Sequence, residues 1–376
     1  MPASRPHPSV LGAWLGGVLA LMLLPSAAAA EGTAAALDWA QHRQGPKASA
    51  SVYWVGHSLV EHKSATTEGV LDLMSLVGSF AKAKGLGYEI GDHTLWGASL
   101  SALWRGRPHA YDRDASLMVE KRKRFQSGEA AKYDTLVLTD GVPVSKAIEY
   151  EYSPYYVRQF YCTIKTANPA SRVYLYENWV NIDGPEDQAG QFDWRQVMRA
   201  ERTSWEQLAE AARQPRVKRP SWRSHIWPAI SDGGCGVTDP IFIIPVGQAL
   251  LALAERLDRP RPGDRFELAG GQRLAMTDLV ENAYVKEAGT PPEDASAQNK
   301  APILRDPAKP HDDIHLSAIG IYFVSLVHFA TIYRQSPIGL PPLEVLGEAT
   351  ARTLTCIAWE TVVADPRAGV EPNGGC

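Results

Sequence analysis

Short apolar runs, each followed by a stretch long enough for a helix, constrain this chain more than any other feature. Ser51, Val52, Tyr53, Trp54 and Val55 form the first run, which stops at Gly56. Residues 88–96, more polar, are a second strand candidate, stopped by Gly97, and residues 135–139 are a third apolar stretch, stopped by Asp140 and Gly141. Residues 173–176 and 241–244 complete the set. Short apolar runs closed by turn residues read as strands buried on both faces. Between them, Val70, Leu71, Met74, Val77 and Phe80 recur near helical spacing and predict a helix over 67–83. Ser153-Pro154 opens a helix that Asn168-Pro169 closes, and further helices are predicted over 194–212, 248–257 and 319–333. Strands alternating with helices imply an α/β fold, a three-layer flavodoxin-like sandwich around a mostly parallel five-stranded sheet. In such sheets ligands bind at the carboxyl ends of the strands. Two stretches, 98–132 and 260–310, read as insertions of the length used for lids and binding loops.

The first 30 residues read as lying outside the fold. Arg5 supplies a positive start, residues 11–24 an apolar run, and Pro25-Ser26 followed by four alanines the small residues before a cut. That is the layout of a secretory signal peptide cleaved after Ala30. The apolar run is short of the roughly 20 residues of a membrane span. Residues 31–376 are then expected to be a single periplasmic or secreted domain with no stable membrane insertion. A net charge of −4, from 38 basic and 42 acidic side chains, argues against nucleic acid or anionic membrane as the main partner. The four cysteines, Cys162, Cys235, Cys356 and Cys376, predict one or two disulfides in an exported protein, with three full pairings open. A Cys356–Cys376 bond would tie down the C-terminal tail.

Two places carry residues suited to chemistry. Ser58 follows Gly56-His57 where the first strand turns into a helix, so its hydroxyl belongs at the mouth of the sheet beside backbone amides that can stabilise an oxyanion. Near the other end, His311-Asp312-Asp313-Ile314-His315 precedes the apolar helix over 319–333. Asp312, three residues before His315, can hold the imidazole on one side and set its tautomer while the other nitrogen faces a hydroxyl. His311, Asp312, Asp313 and His315 are also metal-ligand types, but no remote cluster completes a shell, so no metal site and no cofactor are expected.

These segments resemble blocks of the SGNH, or GDSL-like, serine hydrolases. Gly56-His57-Ser58-Leu59 is similar to the first block, usually Gly-Asp-Ser-Leu or Gly-Asn-Ser. Trp96-Gly97-Ala98-Ser99-Leu100 is similar to the second, whose glycine amide joins the oxyanion hole, and Asp312-Asp313-Ile314-His315 to the last, Asp-x-x-His. The resemblance implies a Ser58–His315–Asp312 triad, with Ser58 as nucleophile and its amide and that of Gly97 holding the oxyanion. The third block, Gly-x-Asn-Asp, is missing. Its place is taken by Thr139-Asp140-Gly141-Val142-Pro143, without the asparagine that completes the oxyanion hole. Asn178, after the fourth strand, is the candidate replacement. Loss of one such donor costs ~10²–10³ in rate.

The function so implied is an exported esterase that hydrolyses acyl esters, acetyl among them, on a carbohydrate. Trp96, Trp104, Trp179, Trp222 and Trp227, in or beside predicted loops, are the candidate sugar-stacking rings. Lys121-Arg122-Lys123-Arg124 reads as a solvated helix face. Two alternatives share these motifs: an O-acyltransferase with the same triad, and a hydrolase-like carbohydrate-binding protein that has lost turnover.

Overall fold

The computed structural model describes residues 35–66, 69–106, 115–182, 193–218, 220, 230–231, 235–281 and 314–376. The first strand, β1 (Ser49–Gly56), leads through His57 into a one-turn helix, α1 (Ser58–Glu61). A small hairpin follows, β2 (Lys63–Thr66) with β3 (Gly69–Asp72), then α2 (Leu73–Ala83) and β4 (Gly87–Thr94). The helix predicted over 67–83 therefore starts later than expected. Asp72 accepts a hydrogen bond from the Ser75 amide as its N-cap, and the residues before it pair as β3.

The stretch 98–132, expected to be a loop insertion, carries α3 (Leu100–Arg105) and α4 (Ala115–Gln126). Met118 and Phe125 of α4 are buried in the core. Its basic run is only partly a solvated face. Lys121 pairs with Asp92, and Arg122 donates to the carbonyls of Trp104 and Arg105. Next come β5 (Thr135–Leu138), α5 (Val144–Tyr150), α6 (Ser153–Ala167), β6 (Arg172–Tyr176) and α7 (Trp194–Arg213). A minor antiparallel pair, β7 (Val217–Lys218) and β8 (Ile230–Ser231), precedes β9 (Ile241–Ile244) and α8 (Val246–Asp258). The chain ends in α9 (Ala318–Tyr333) and α10 (Glu348–Ala364). The sequence reading had not marked α10.

The main sheet has the order β4-β1-β5-β6-β9, and every pairing in it is parallel. That is the 2-1-3-4-5 order of a flavodoxin-like fold, with its topological switch point between β1 and β5. Side chains alternate across it. Val52, Trp54, Val137, Tyr174, Tyr176, Phe242 and Ile244 pack into one layer with α2, α8, α9 and α10. Tyr53, Val55, Leu136, Leu138, Val173, Leu175, Ile241 and Ile243 pack into the other with α3, α4, α6 and α7. Burial on both faces is why these strands read as continuous apolar runs rather than as alternating ones. Helix α9 is apolar all round because every residue from Ile319 to Tyr333 is buried. Each large side chain there contributes about 1.5–3 kcal/mol by leaving water.

Residues 34–376 cluster as one compact unit. Two disulfides, Cys162–Cys235 and Cys356–Cys376, cross-link it, each with Cα atoms 5.6 Å apart. The second, one of the pairings the sequence left open, joins α10 to Cys376. Disulfides fit an oxidising compartment. Among the described residues no helix is long and apolar enough to cross a membrane. The segment expected to be a signal peptide and most of the 260–310 stretch lie outside the described residues.

Candidate active site

The carboxyl ends of β1 and β5 meet at the switch point, and the predicted residues gather there. Gly56 ends β1 where a Cβ would lie 2.6 Å from Thr139 Cγ2, so the absence of a side chain lets the two strand ends approach. His57 then caps α1. Its Nδ1 accepts the Leu59 amide at 3.4 Å, and its Nε2 donates to the Asp140 carbonyl at 2.8 Å. Burial pushes the His57 imidazole down to about 4, the Asp140 hydrogen bond opposing and nearby His315 adding to the shift. The ring is therefore neutral at pH 7 and serves as a strut.

Ser58 is half-buried at the start of α1 and lines a cleft of about 430 Å³. Gly97 and His315 line the same cleft. Gly97 sits in the turn closed by the Ala98 amide and the Leu95 carbonyl (3.1 Å), with φ at 66°. A Cβ there would meet nothing within 4 Å, so the glycine is required by backbone conformation, not by space. The Leu95 amide in turn donates to the Gly56 carbonyl at 3.0 Å, joining this turn to the end of β1.

His315 is held through its backbone from two sides. The Glu281 amide donates to the His315 carbonyl at 2.9 Å, and the indole of buried Trp179 donates to the Ile314 carbonyl at 2.8 Å. The ring of Trp96 stacks on His315, centroids 4.7 Å apart, and His62 lies 5.0 Å from it on another side. His62 Nε2 is 3.4 Å from Glu281 Oε1. Asp312, His311 and Asp313 lie outside the described residues, so the acid of the predicted triad and the other candidate ligands are not placed.

The third-block departure has a structural counterpart in Asp140. Its Oδ1 accepts the amides of Leu100 (3.0 Å) and Gly141 (2.9 Å), while its carbonyl receives His57 and the Asn178 side-chain amide (2.7 Å). Complete burial raises the Asp140 carboxyl, against the lowering effect of hydrogen bonds from Ser153, Leu100 and Gly141. One residue thus ties together the segments that follow β1, β4, β5 and β6. Asn178 is corrected by the same geometry. Its amide nitrogen is spent on Asp140 and on Thr139 Oγ1 (3.1 Å), and it does not line the cleft. It braces the loop instead of facing a substrate.

Among the tryptophans, Trp96 is 38% exposed beside the cleft, whereas Trp179 is wholly buried and Trp104 packs edge-on against Phe160. Trp104 and Trp179 are packing residues, because each turns its ring into the protein. Trp222 and Trp227 lie outside the described residues. A larger groove of about 590 Å³ between α7, α8 and α10 contains none of the predicted site residues, and ion pairs such as Arg199–Glu255 line it. Sequence reading missed His57, Asp140 and Trp179 as positioning groups. Asp140 had registered only as a strand stop, since nothing local announces a hub whose partners are 38 to 83 residues away.

No family model matches the chain, and no curated protein matches it. A crystal structure of a DUF4886 family protein from Bacteroides uniformis ATCC 8492 is similar to it, with a TM-score of 0.48 and 13% identity, covering 84% of this chain and 95% of that one.

Proposed function

We propose that this chain is an exported serine esterase of the SGNH type, acting on acyl esters of a carbohydrate, acetyl esters among them. The observation that carries the reading is the convergence of Ser58, Gly97 and His315, 257 residues apart at the extremes, on one cleft at the switch point of the sheet. In the proposed reaction Ser58 Oγ attacks the ester carbonyl as its proton passes to His315. The amides of Ser58 and Gly97 take the charge that develops on the carbonyl oxygen. The tetrahedral adduct expels the alcohol, which leaves with the proton from His315. Water then attacks the acyl-serine, again with His315 as base, and the carboxylic acid and free Ser58 are released. Asp312 is assigned to hold the imidazole in its working tautomer.

Two amides without a third side-chain donor make a weaker oxyanion hole, so a modest kcat belongs to this reading. The test is incubation with a fluorophosphonate, followed by mass mapping of the modified peptide and assay of acetate release from p-nitrophenyl acetate. Labelling of Ser58, with turnover abolished in Ser58→Ala, is expected. An unlabelled wild-type protein without turnover would instead favour a binding protein built on the same fold.

A further inference from the structure

The cleft contains a second acidic side chain that the proposed reaction does not use. Glu151 follows α5 and lines the cleft together with Ser58 and His315. One of its oxygens is anchored. Ser101 Oγ donates to Oε2 at 2.7 Å, and Ser99 Oγ lies 3.3 Å from the same atom and 2.9 Å from Ser101 Oγ. Among the described residues the other oxygen, Oε1, makes no hydrogen bond or ion pair. The only cation of that helix near by, Lys146, is engaged by Glu149 at 3.1 Å. The backbone beside Glu151 is strained as well: Tyr152 adopts φ 58°, ψ 38°, a left-handed conformation unfavourable for a non-glycine residue.

Anchoring by Ser99 and Ser101 matters because both belong to the segment that follows the Gly97 turn. The carboxylate is therefore held rigidly relative to the expected oxyanion donor. A fixed acceptor whose second oxygen is unpaired among the described residues, in a cleft beside Ser58, is suited to take a hydrogen bond from a donor on the bound molecule. An ionised carboxylate forms a stronger hydrogen bond than a neutral acceptor does. Resting on the esterase reading, we infer that Glu151 is a specificity-determining residue that receives a hydroxyl group of the alcohol portion of the substrate, selecting polyhydroxylated, uncharged esters over plain alkyl or aryl esters. A substrate bearing an anionic group next to that hydroxyl is repelled.

The experiment compares wild type, Glu151→Ala and Glu151→Gln on p-nitrophenyl acetate, on a mono-O-acetylated methyl glucoside and on acetylcholine. Expected for Glu151→Ala is a fall of at least ~10-fold, about 1.4 kcal/mol, in the ratio of kcat/KM for the sugar ester to that for the aryl ester, carried mainly by KM. Glu151→Gln, which keeps an acceptor and the Ser101 contact, should lose only about a third as much in logarithmic terms. A ratio unchanged in both variants, or a larger loss on acetylcholine than on the sugar ester, overturns the inference. A second arm does not depend on turnover: calorimetric titration of a neutral xylo-oligosaccharide into Ser58→Ala and into the Ser58→Ala, Glu151→Ala double variant. Weaker binding in the double variant supports the assignment even if wild type hydrolyses nothing, whereas equal binding, or none in either, overturns it. Absent labelling of Ser58 with intact sugar binding would sink the esterase reading alone.

Discussion

His57 Nε2 lies 2.8 Å from the backbone carbonyl of Asp140, 83 residues later, and this bond joins the turn that carries Ser58 to the end of the neighbouring strand. The same carbonyl receives the Asn178 amide at 2.7 Å. The Asp140 carbonyl is thus an acceptor held by two side-chain struts, His57 and Asn178, both buried.

Asn178 should behave as one of those struts. In Asn178→Ala the Asp140 carbonyl and Thr139 hydroxyl lose a buried donor, which costs about 1–3 kcal/mol. Thermal unfolding should show a clearly lower Tm, with any loss of kcat no larger than that displacement explains. A kcat lowered ~10²-fold or more at unchanged Tm would restore Asn178 as an oxyanion donor.

Of the two adjacent acids, Asp312 is expected to carry the triad. Residues three apart on a helical turn are neighbours, as Asp312 and His315 would be, whereas residues two apart, as Asp313 and His315 are, do not face each other. Asp312→Asn should lower kcat by up to roughly 10⁴ through loss of tautomer and of imidazolium stabilisation, with little change in KM. Asp313→Asn should have a minor effect. Equal losses in steady-state assays of both variants would point to a loop that needs both acids.

His93 offers a test of acid sensitivity. It is fully buried on β4, and among the described residues neither ring nitrogen has a hydrogen-bond partner. Burial, with Lys121 adding to it, pushes its imidazole down to about 4. The folded value lies below the unfolded value of 6.5, so its contribution is intact above pH 6.5 and is lost as pH falls toward 4. His93→Leu should be at least as stable as wild type at pH 7, since it removes an unsatisfied polar group without leaving a large cavity. Melting curves from pH 8 to 4 should show a shallower acid decline for the variant. His57 and His328 are depressed in the same direction and keep part of the slope in both proteins. Glu177 works oppositely: burial raises it to about 7, so its contribution is present below pH 4.5 and is lost as pH rises through 7.

The C-terminal disulfide should hold α10 against the tail. Its partners are 20 residues apart, and closing a loop of that size removes about 3 kcal/mol of unfolded-chain freedom. Cys376→Ser should lower Tm by several degrees, and alkylation before reduction should then detect one free thiol, at Cys356. Wild-type protein should show none until reduced. Unchanged stability in Cys376→Ser would mean that the tail contributes nothing to the fold.

The sequence by itself determined the sheet. Val52 to Val55, Leu136 to Leu138, Val173 to Tyr176 and Ile241 to Ile244 are apolar without a break because both faces are covered, and that continuity is legible locally. It also marked Ser58 and His315, because a serine at a strand-to-helix turn and a histidine before an apolar helix are each local patterns. The start of α2 was misjudged because Val70 and Leu71 satisfy helical spacing equally well while pairing with Ala65 and Ser64 in a hairpin. Only the tertiary structure decided that Asn178 turns away from the cleft, that Trp179 grips the Ile314 carbonyl, and that Ser99 and Ser101 anchor Glu151. Each of those bonds joins residues between 38 and 135 positions apart. Which donor meets which acceptor across such a span is set by the order and register of the strands that carry them, β4 beside β1 and β1 beside β5, a relation between segments that no single segment encodes.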